Sequence, residues 1–362
     1  MREVGLSGPT SATIRPEKTY QVTLTSVVER ALSGLGLNTS WAPTVILFIV
    51  AVVVLVFTLL MCLFLVYALR KILGFIQHRI GPVRTGPQGL LQTPCDAVKL
   101  LTKEDVIPAL ADRWMFTIAP IVAFVPAYLV YVVVPFGRNM IPKDLSIGIV
   151  FVAAVSGVHI IGILMAGWAS NNKYSMLGAF RGAAQLVSYE IPMIVCMLGP
   201  ALAAGTLSMQ GLVQAQDSWW FGLWQPLGLA VFFTAAVVEL NLVPFDFSEA
   251  ESELVSGFNV EYSGMKFAFF FLAEFVNAFT VSAIIVTLFL GGWQTPFFWP
   301  WQGWLHTFLW FMIKSMILVF VLLWIRSTLP RIRIDQLVNF GWKVLVPLSL
   351  VNVVYVAAVV AF

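Results

Sequence analysis

The chain has 362 residues, of which 59% are hydrophobic and only 11% charged, and its mean hydropathy is +0.89. These totals exclude a soluble globule and indicate an integral membrane protein. A net charge of +3 gives no footprint for nucleic acid, and Cys62, Cys95 and Cys196 match no metal or disulfide spacing. Nothing resembles an Fe–S, haem, flavin or nucleotide site, so any redox cofactor is expected to belong to a partner.

Residues 1–40 are mixed in character, with Arg2, Arg15, Lys18 and Arg30 partly offset by Glu3, Glu17 and Glu29. No apolar core follows this basic start closely enough for a cleavable signal. Residues 22–35 suit a short interfacial helix. Residues 41–362 are expected to form a single all-α transmembrane domain. About eight membrane-length runs are legible, at 43–69, 115–136, 147–168, 186–207, 221–243, 267–291, 305–325 and 344–361.

The loops between these runs differ in charge. Arg70, Lys71, Arg79, Arg84, Lys99, Lys103 and Arg113 lie in the first, Lys173 and Arg181 in the third, and Lys266 in the fifth. Arg326, Arg331, Arg333 and Lys343 lie in the seventh, whereas the even loops hold only Arg138 and Lys143. The positive-inside rule therefore predicts cytoplasmic odd loops, with both termini and residues 1–40 outside. In the first loop, Gly81-Pro82 and Gly86-Pro87 force turns. The stretch 89–103 then reads as a partly amphipathic helix with Lys99 and Lys103 on its wet side. Such a helix is either a plain surface element or one lying in the interface plane, framing an opening where an amphiphile enters.

The fifth loop departs most from the rest. Residues 244–266 carry Asp246, Glu249, Glu251, Glu253 and Glu261 between two strongly apolar runs, and Glu239 and Glu274 lie inside those runs. Part of this is local structure: Ser248 and Glu251 fit a capping box. Asp246, Glu249 and Glu253 share one face of a helix of about two turns that Gly257 would end. Capping does not account for Glu239 or Glu274. With Glu190, which Pro192 marks as near the start of its run, these acids are expected in the cytoplasmic half. Glu274 stands ~12 Å into its run at the helical rise. Acids at one depth on one side suit a half-channel, where carboxyls withdrawn from water exchange protons as a set. Lys314, inside an apolar run, is expected to pair with one of them or to snorkel, with pairing the better fit. His159 reads as a packing histidine and His306 as interfacial without a role. The tryptophan-rich 291–304 and Asp217 to Trp220 read as an outer aromatic belt.

Four stretches taken together carry a resemblance: QHRIGPVRTGPQGLLQTPCDAVKLLTKED, GWASNNKYSMLGAFRGAAQLVSYE, PFDFSEAESELVSGFNVEYSGMKFAFFFLAEF and LWIRSTLPRIRIDQLVNFGWK. Over roughly residues 70–350 the chain resembles the quinone-site membrane subunit of respiratory complex I, the family of the bacterial H subunit and its mitochondrial counterpart. The resemblance implies a tilted bundle of about eight helices, with amphipathic helices in its cytoplasmic loops, in a bacterial inner membrane. It implies no cofactor bound by this chain, quinone as substrate, and Fe–S clusters and FMN in partner subunits. The implied partners are the terminal [4Fe–4S] subunit, the quinone-head-binding subunit, small membrane subunits and the antiporter-like subunits.

By the same resemblance Arg79, Asp96, Phe258 and Arg326 line or frame the quinone chamber. Glu190, Glu239, Asp246, Glu249, Glu251, Glu253, Glu261 and Glu274, with Lys314, match the path from the chamber toward the pumping subunits. Some positions depart from the family. Its Glu-Arg-Lys is Leu69-Arg70-Lys71 here, its Arg-Thr-Pro-Phe-Asp is Leu242-Val243-Pro244-Phe245-Asp246, and Gly157 stands where some bacterial members have an acid. The loss at 242 removes a positive partner from the acids. The implied function is a subunit of a proton-translocating NADH:quinone oxidoreductase, with no complete active site in one chain. Rivals are the equivalent subunit of a ferredoxin-dependent photosynthetic complex I or a membrane-bound hydrogenase. A secondary transporter would show internal repeats, and a passive scaffold would leave the buried acids unexplained.

Overall fold

The computed structural model describes residues 42–138, 140–217, 219–249, 251–295 and 303–361. Residues 1–40, with the expected interfacial helix at 22–35, lie outside the described residues. The described residues form helices and connecting turns, with no strand among them. Residues from Val54 onward make one compact unit, and the packing below concerns that unit.

The membrane-length helices follow the sequence pattern. They are α1 (Ala42–Ile76), α3 (Arg113–Leu129), α4 (Gly148–Ala169), α5 (Lys173–Ala204), α10 (Gly264–Phe289) and α11 (Trp304–Thr328). The last crossing joins α12 (Ile334–Phe340) to α13 (Val346–Ala361) through one wide turn at Gly341–Leu345. Seven spans among the described residues are thus long and apolar enough to cross a membrane. The amphipathic helix expected at 89–103 is α2 (Gln92–Thr102). A shorter α6 (Met209–Ala215) follows α5, with Ser208 as its cap.

The fifth apolar run differs from the expected full crossing. It divides into α7 (Phe221–Trp224) and α8 (Pro226–Glu239), the latter only 14 residues long. At 1.5 Å per residue that is ~21 Å, short of the ~30 Å hydrocarbon core. Gln225 breaks the run because Pro226 suits a first helical position and not an interior one. Beyond Glu239 the chain turns irregular, with Asn241 at a φ of 51°. Irregular backbone at such depth is tolerated only where protein or a cavity satisfies it. Here the buried Gln185 amide does so, donating to Val238 O at 2.7 Å and Phe245 O at 2.9 Å.

Helix α5 also begins earlier than expected, at Lys173. Asn172 caps it, its Oδ1 accepting from Tyr174 N at 2.9 Å. The stretch from Gly178 to Ala183 reads as weakly apolar because it is a close-packing ridge, as small residues are in membrane bundles. Pro192 therefore lies inside the helix, and Glu190 is a mid-helix residue. Helices α4, α8 and α13 all pack on α5. A Cβ on Gly167 would meet Ala179 Cβ at 2.3 Å, and one on Gly162 would meet Ala123 N at 2.7 Å, so α3, α4 and α5 touch nearly backbone to backbone.

Candidate functional site

The ridge of α5 also seats the acidic loop. A Cβ on Gly178 would stand 2.7 Å from Gly257 Cα, and one on Gly182 would stand 2.8 Å from Ser248 Cβ. Gly257 itself has a φ of 53°, and a side chain there would overlap Ser248 O. Phe258 N donates to that same oxygen at 3.3 Å, and Ser175 Oγ donates to Phe258 O at 3.2 Å. Glycine at three positions thus lets the loop lie flat on the bundle, which holds its acids against α8 and α10.

The expected two-turn helix is smaller than the sequence suggested. Among the described residues the loop's α-helical part is α9 (Glu251–Leu254), and Asp246 and Glu249 precede it. The capping box does not form: Ser248 Oγ has no hydrogen-bond partner among the described residues. Asp246 takes over part of that role, its Oδ1 accepting from Glu249 N at 3.3 Å. The side chain of Glu251 lies outside the described residues.

Two small cavities open beside this loop. The loop-side one, of about 30 Å3, is lined by Glu239, Glu249 and Glu274 together with Asn241, Ser248 and Phe258. The mid-bundle one, of about 20 Å3, is lined by Ser156 of α4 and by apolar groups such as Val130, Met197 and Phe232. Three residues line both: His159, Glu239 and Asn277. Each space is large enough for a water molecule or two. Glu239 Oε2, Asn241 Oδ1 and Ser248 Oγ find no protein partner among the described residues, so the loop-side cavity is polar enough to hold water.

The positive partners come from the end of α11. Arg326 Nη1 lies 2.8 Å from Glu274 Oε1, with only 22% and 15% of the two side chains exposed. Arg331 lies 3.5 Å from the Asp246 carboxylate and also donates to its backbone carbonyl. The acids therefore keep guanidinium partners although position 242 is a buried leucine. Glu249 is held by Asn259, whose Nδ2 donates to its Oε1 at 2.6 Å. Burial pushes the Glu249 pKa up to about 8, reinforced by the charges of Glu274 and Asp246; Arg326 and the Asn259 hydrogen bond act in the opposite sense.

The remaining residues singled out in the sequence are dispersed. Glu190 packs against α4, its Oε1 only 3.0 Å from where a Gly157 Cβ would stand, and its charge acts on Glu239. Glu253 pairs with Arg181 at 2.6 Å at the loop surface, and Glu261 accepts from Asn172 Nδ2 at 2.8 Å. Asp96 pairs with Arg70 at 2.5 Å and accepts from Gln92, which ties α2 to the end of α1. Arg79 is exposed in the turn after α1, where its Nε donates to Gln77.

Lys314 pairs with no acid among the described residues. Its ammonium donates to Leu290 O at 2.7 Å, Gly292 O at 3.2 Å and Gln294 O at 2.7 Å, and sits 4.2 Å from the Trp220 ring centroid. Leu290 lies sixteen residues beyond Glu274, ~24 Å along a helix. The carbonyls left unpaired at the end of α10 supply the partial negative charge that a carboxylate was expected to provide. His306 accepts from Trp310 Nε1 at 2.9 Å.

Sequence reasoning missed Asn277 and Ser156, and it gave His159 only a packing role. A signal was present: Asn277 is one turn from Glu274, and Ser156 one turn from His159, so each pair shares a helix face.

Residues 49–357 match the NADH dehydrogenase family. The chain belongs to that family. The H subunit of NADH-quinone oxidoreductase from Geobacillus thermodenitrificans is 49% identical over 320 residues, 88% of this chain and 96% of the relative. The protein of the same name from Dehalococcoides mccartyi is 50% identical over 311 residues, 86% of each chain. That from Brevibacillus brevis is 46% identical over 323 residues, 89% of this chain and 96% of the relative. Membership in the NADH dehydrogenase family agrees with the multi-pass helical fold and with the stretches that carried the resemblance.

Proposed function

We propose that this chain is the H subunit of a proton-translocating NADH:quinone oxidoreductase, a membrane subunit that has no complete active site alone. The observation that carries this reading is near-half identity to a relative of that name along 96% of its length. The inner membrane of a bacterium is inferred from the bacterial relatives, and cytoplasmic odd loops with both termini outside from the distribution of basic residues. FMN and the Fe–S clusters are assigned to partner subunits, among them the terminal [4Fe–4S] and quinone-head subunits.

In this reading, Phe258 and Arg326 mark where the quinone chamber meets the acids. Phe258 lines the loop-side cavity, and Arg326 binds an acid of it. Arg79 and Asp96, on the stretch after α1, frame the side that partner subunits would close. Quinone reduction consumes protons and changes local charge, and the acids pass that change on. Glu249, Glu274 and Glu239 form the inner part of the path, and Glu190 continues it along α5. Asp246 steers it through Arg331, while Glu253 and Glu261 supply its mouth at the loop surface. Lys314 stands apart from it, at the far end of α10.

Purification from native membranes in mild detergent tests the assignment. Fe–S, antiporter-like and NADH-binding partners that co-migrate with this chain, and NADH:quinone turnover by the pool, are the expected result. A chain that purifies alone, or with a ferredoxin-dependent arm, contradicts it.

A further inference from the structure

We infer that His159 is a proton-transfer residue at the neck between the two cavities, carrying protons from the acids of the loop toward the middle of the bundle. The inference deepens the proton-path reading above and rests on it.

The neck is formed by three side chains that line both cavities: His159, Glu239 and Asn277. Asn277 does not titrate, so any proton that crosses here crosses on His159, Glu239 or water held between them. Beyond the neck the walls turn apolar, and Ser156 is the next hydroxyl along α4. Two titratable groups at the polar constriction shared by both spaces are what a relay requires. A packing histidine needs none of this.

The geometry also fixes how the ring works. His159 Nδ1 lies 2.9 Å from Ala123 O of α3. A carbonyl oxygen only accepts, so Nδ1 carries the hydrogen and Nε2 keeps its lone pair. A ring anchored in this way cannot flip without losing its bond, which leaves Nε2 as the atom that works. The groups around it are known from each neighbouring element. Helix α3 offers only the Ala123 carbonyl, and α5 brings Glu190 beside Gly157 on the same helix as His159. Helix α8 brings Glu239, α10 brings Glu274 and Asn277, and the loop brings Glu249.

In each passage, Nε2 takes a proton from Glu249, directly or through water in the loop-side cavity, while Glu274 stays ion-paired with Arg326. The donor is left as a carboxylate and the ring as an imidazolium. The Nε2–H bond then breaks as the proton goes to Glu239 or to water beside Ser156. The ring returns to its neutral form, and the carboxylate behind it is reprotonated from the chamber side. No electron moves and no other bond changes.

The test uses the whole complex with His159→Asn and His159→Glu. Asparagine can keep the bond to Ala123 O through its own amide but cannot carry a proton, and glutamate restores a titratable group. Deuterium exchange into the buried carboxyls, read as the infrared shift of their C=O stretch after mixing with heavy water, needs no turnover. His159→Asn should slow the exchange of acids beyond the neck ~10²-fold, in line with loss of one positioned acid–base group, and lower the initial rate of pumping in liposomes. His159→Glu should recover both. Exchange in His159→Asn at the wild-type rate, or His159→Glu no better than His159→Asn, would overturn the assignment. Absence of NADH:quinone turnover in the wild type would instead sink the subunit assignment, and the exchange experiment would still decide the role of His159.

Discussion

Removing Arg326 should make Glu249 hold its proton more tightly, and the structure gives the size of the starting point. Burial, followed by the charges of Glu274 and Asp246, pushes the Glu249 pKa to about 8 against an ordinary 4.5, and Arg326 is the main group opposing that rise. At pH 7 such an acid is protonated in about nine molecules of ten. The sign of the stability effect follows. Below pH 4.5 the group is protonated whether the protein is folded or not, and nothing is lost. Between 4.5 and 8 the unfolded chain ionises while the folded one does not, so stability falls as pH rises, by up to ~1.4 kcal/mol per unit, and levels off above 8. Arg326→Met should move the Glu249 midpoint above 8. Infrared titration of the purified complex measures it: a protonated-carboxyl band that fades near pH 8 in the wild type, fades later in Arg326→Met and is missing in Glu249→Gln. Since Arg326→Met also leaves Glu274 unpaired, at a cost of ~3–5 kcal/mol if it stays ionised, Asn259→Leu serves as a milder variant. It removes only the 2.6 Å bond to Glu249 and should shift the midpoint the same way. A midpoint that falls or stays fixed in both variants would refute the electrostatics assigned to this cluster.

Other substitutions probe the supporting structure. Lys314→Met leaves three carbonyls at the end of α10 without their donor, at ~1–3 kcal/mol for each one that stays buried and unpaired. Assembly yield should drop, while complexes that do assemble should pump at the wild-type proton-to-electron ratio. Gly178→Val drives a side chain into the Gly257 backbone 2.7 Å from its Cβ position. The acidic loop should lift, which limited proteolysis near residue 255 would detect. Asn172→Ala removes the α5 cap and the bond to Glu261 together, costing ~1 kcal/mol for the cap, read as a lower thermal midpoint of the complex.

Much of the fold was legible because the bilayer imposes length and polarity on each crossing. Runs 147–168 and 305–325 became α4 and α11 with small changes at their ends. The failures lie where tertiary packing overrides composition. The start of α5 looked like a loop because glycine and alanine carry little hydropathy, although that is what lets α4 and the acidic loop approach. The fifth crossing looked continuous because hydropathy is blind to the break that Gln225 and Pro226 impose. Of the site, the acids of α8, α10 and the loop stood out from their cost in lipid. Asn277 did not, and His159 looked like packing alone, since one neutral polar residue on an apolar helix has no further signature until its neighbours are in place. Lys314 was misassigned because backbone carbonyls, its actual partners, are invisible in a sequence.

The most direct test of the coupling path is proton pumping by Glu239→Gln in the assembled complex, reconstituted in liposomes and driven by NADH and quinone. Glu239 borders both cavities, and glutamine keeps its size while removing its proton. Electron entry from NADH to an artificial acceptor should match the wild type, while quinone-linked pumping should collapse. Wild-type pumping in a fully assembled Glu239→Gln complex would contradict the path.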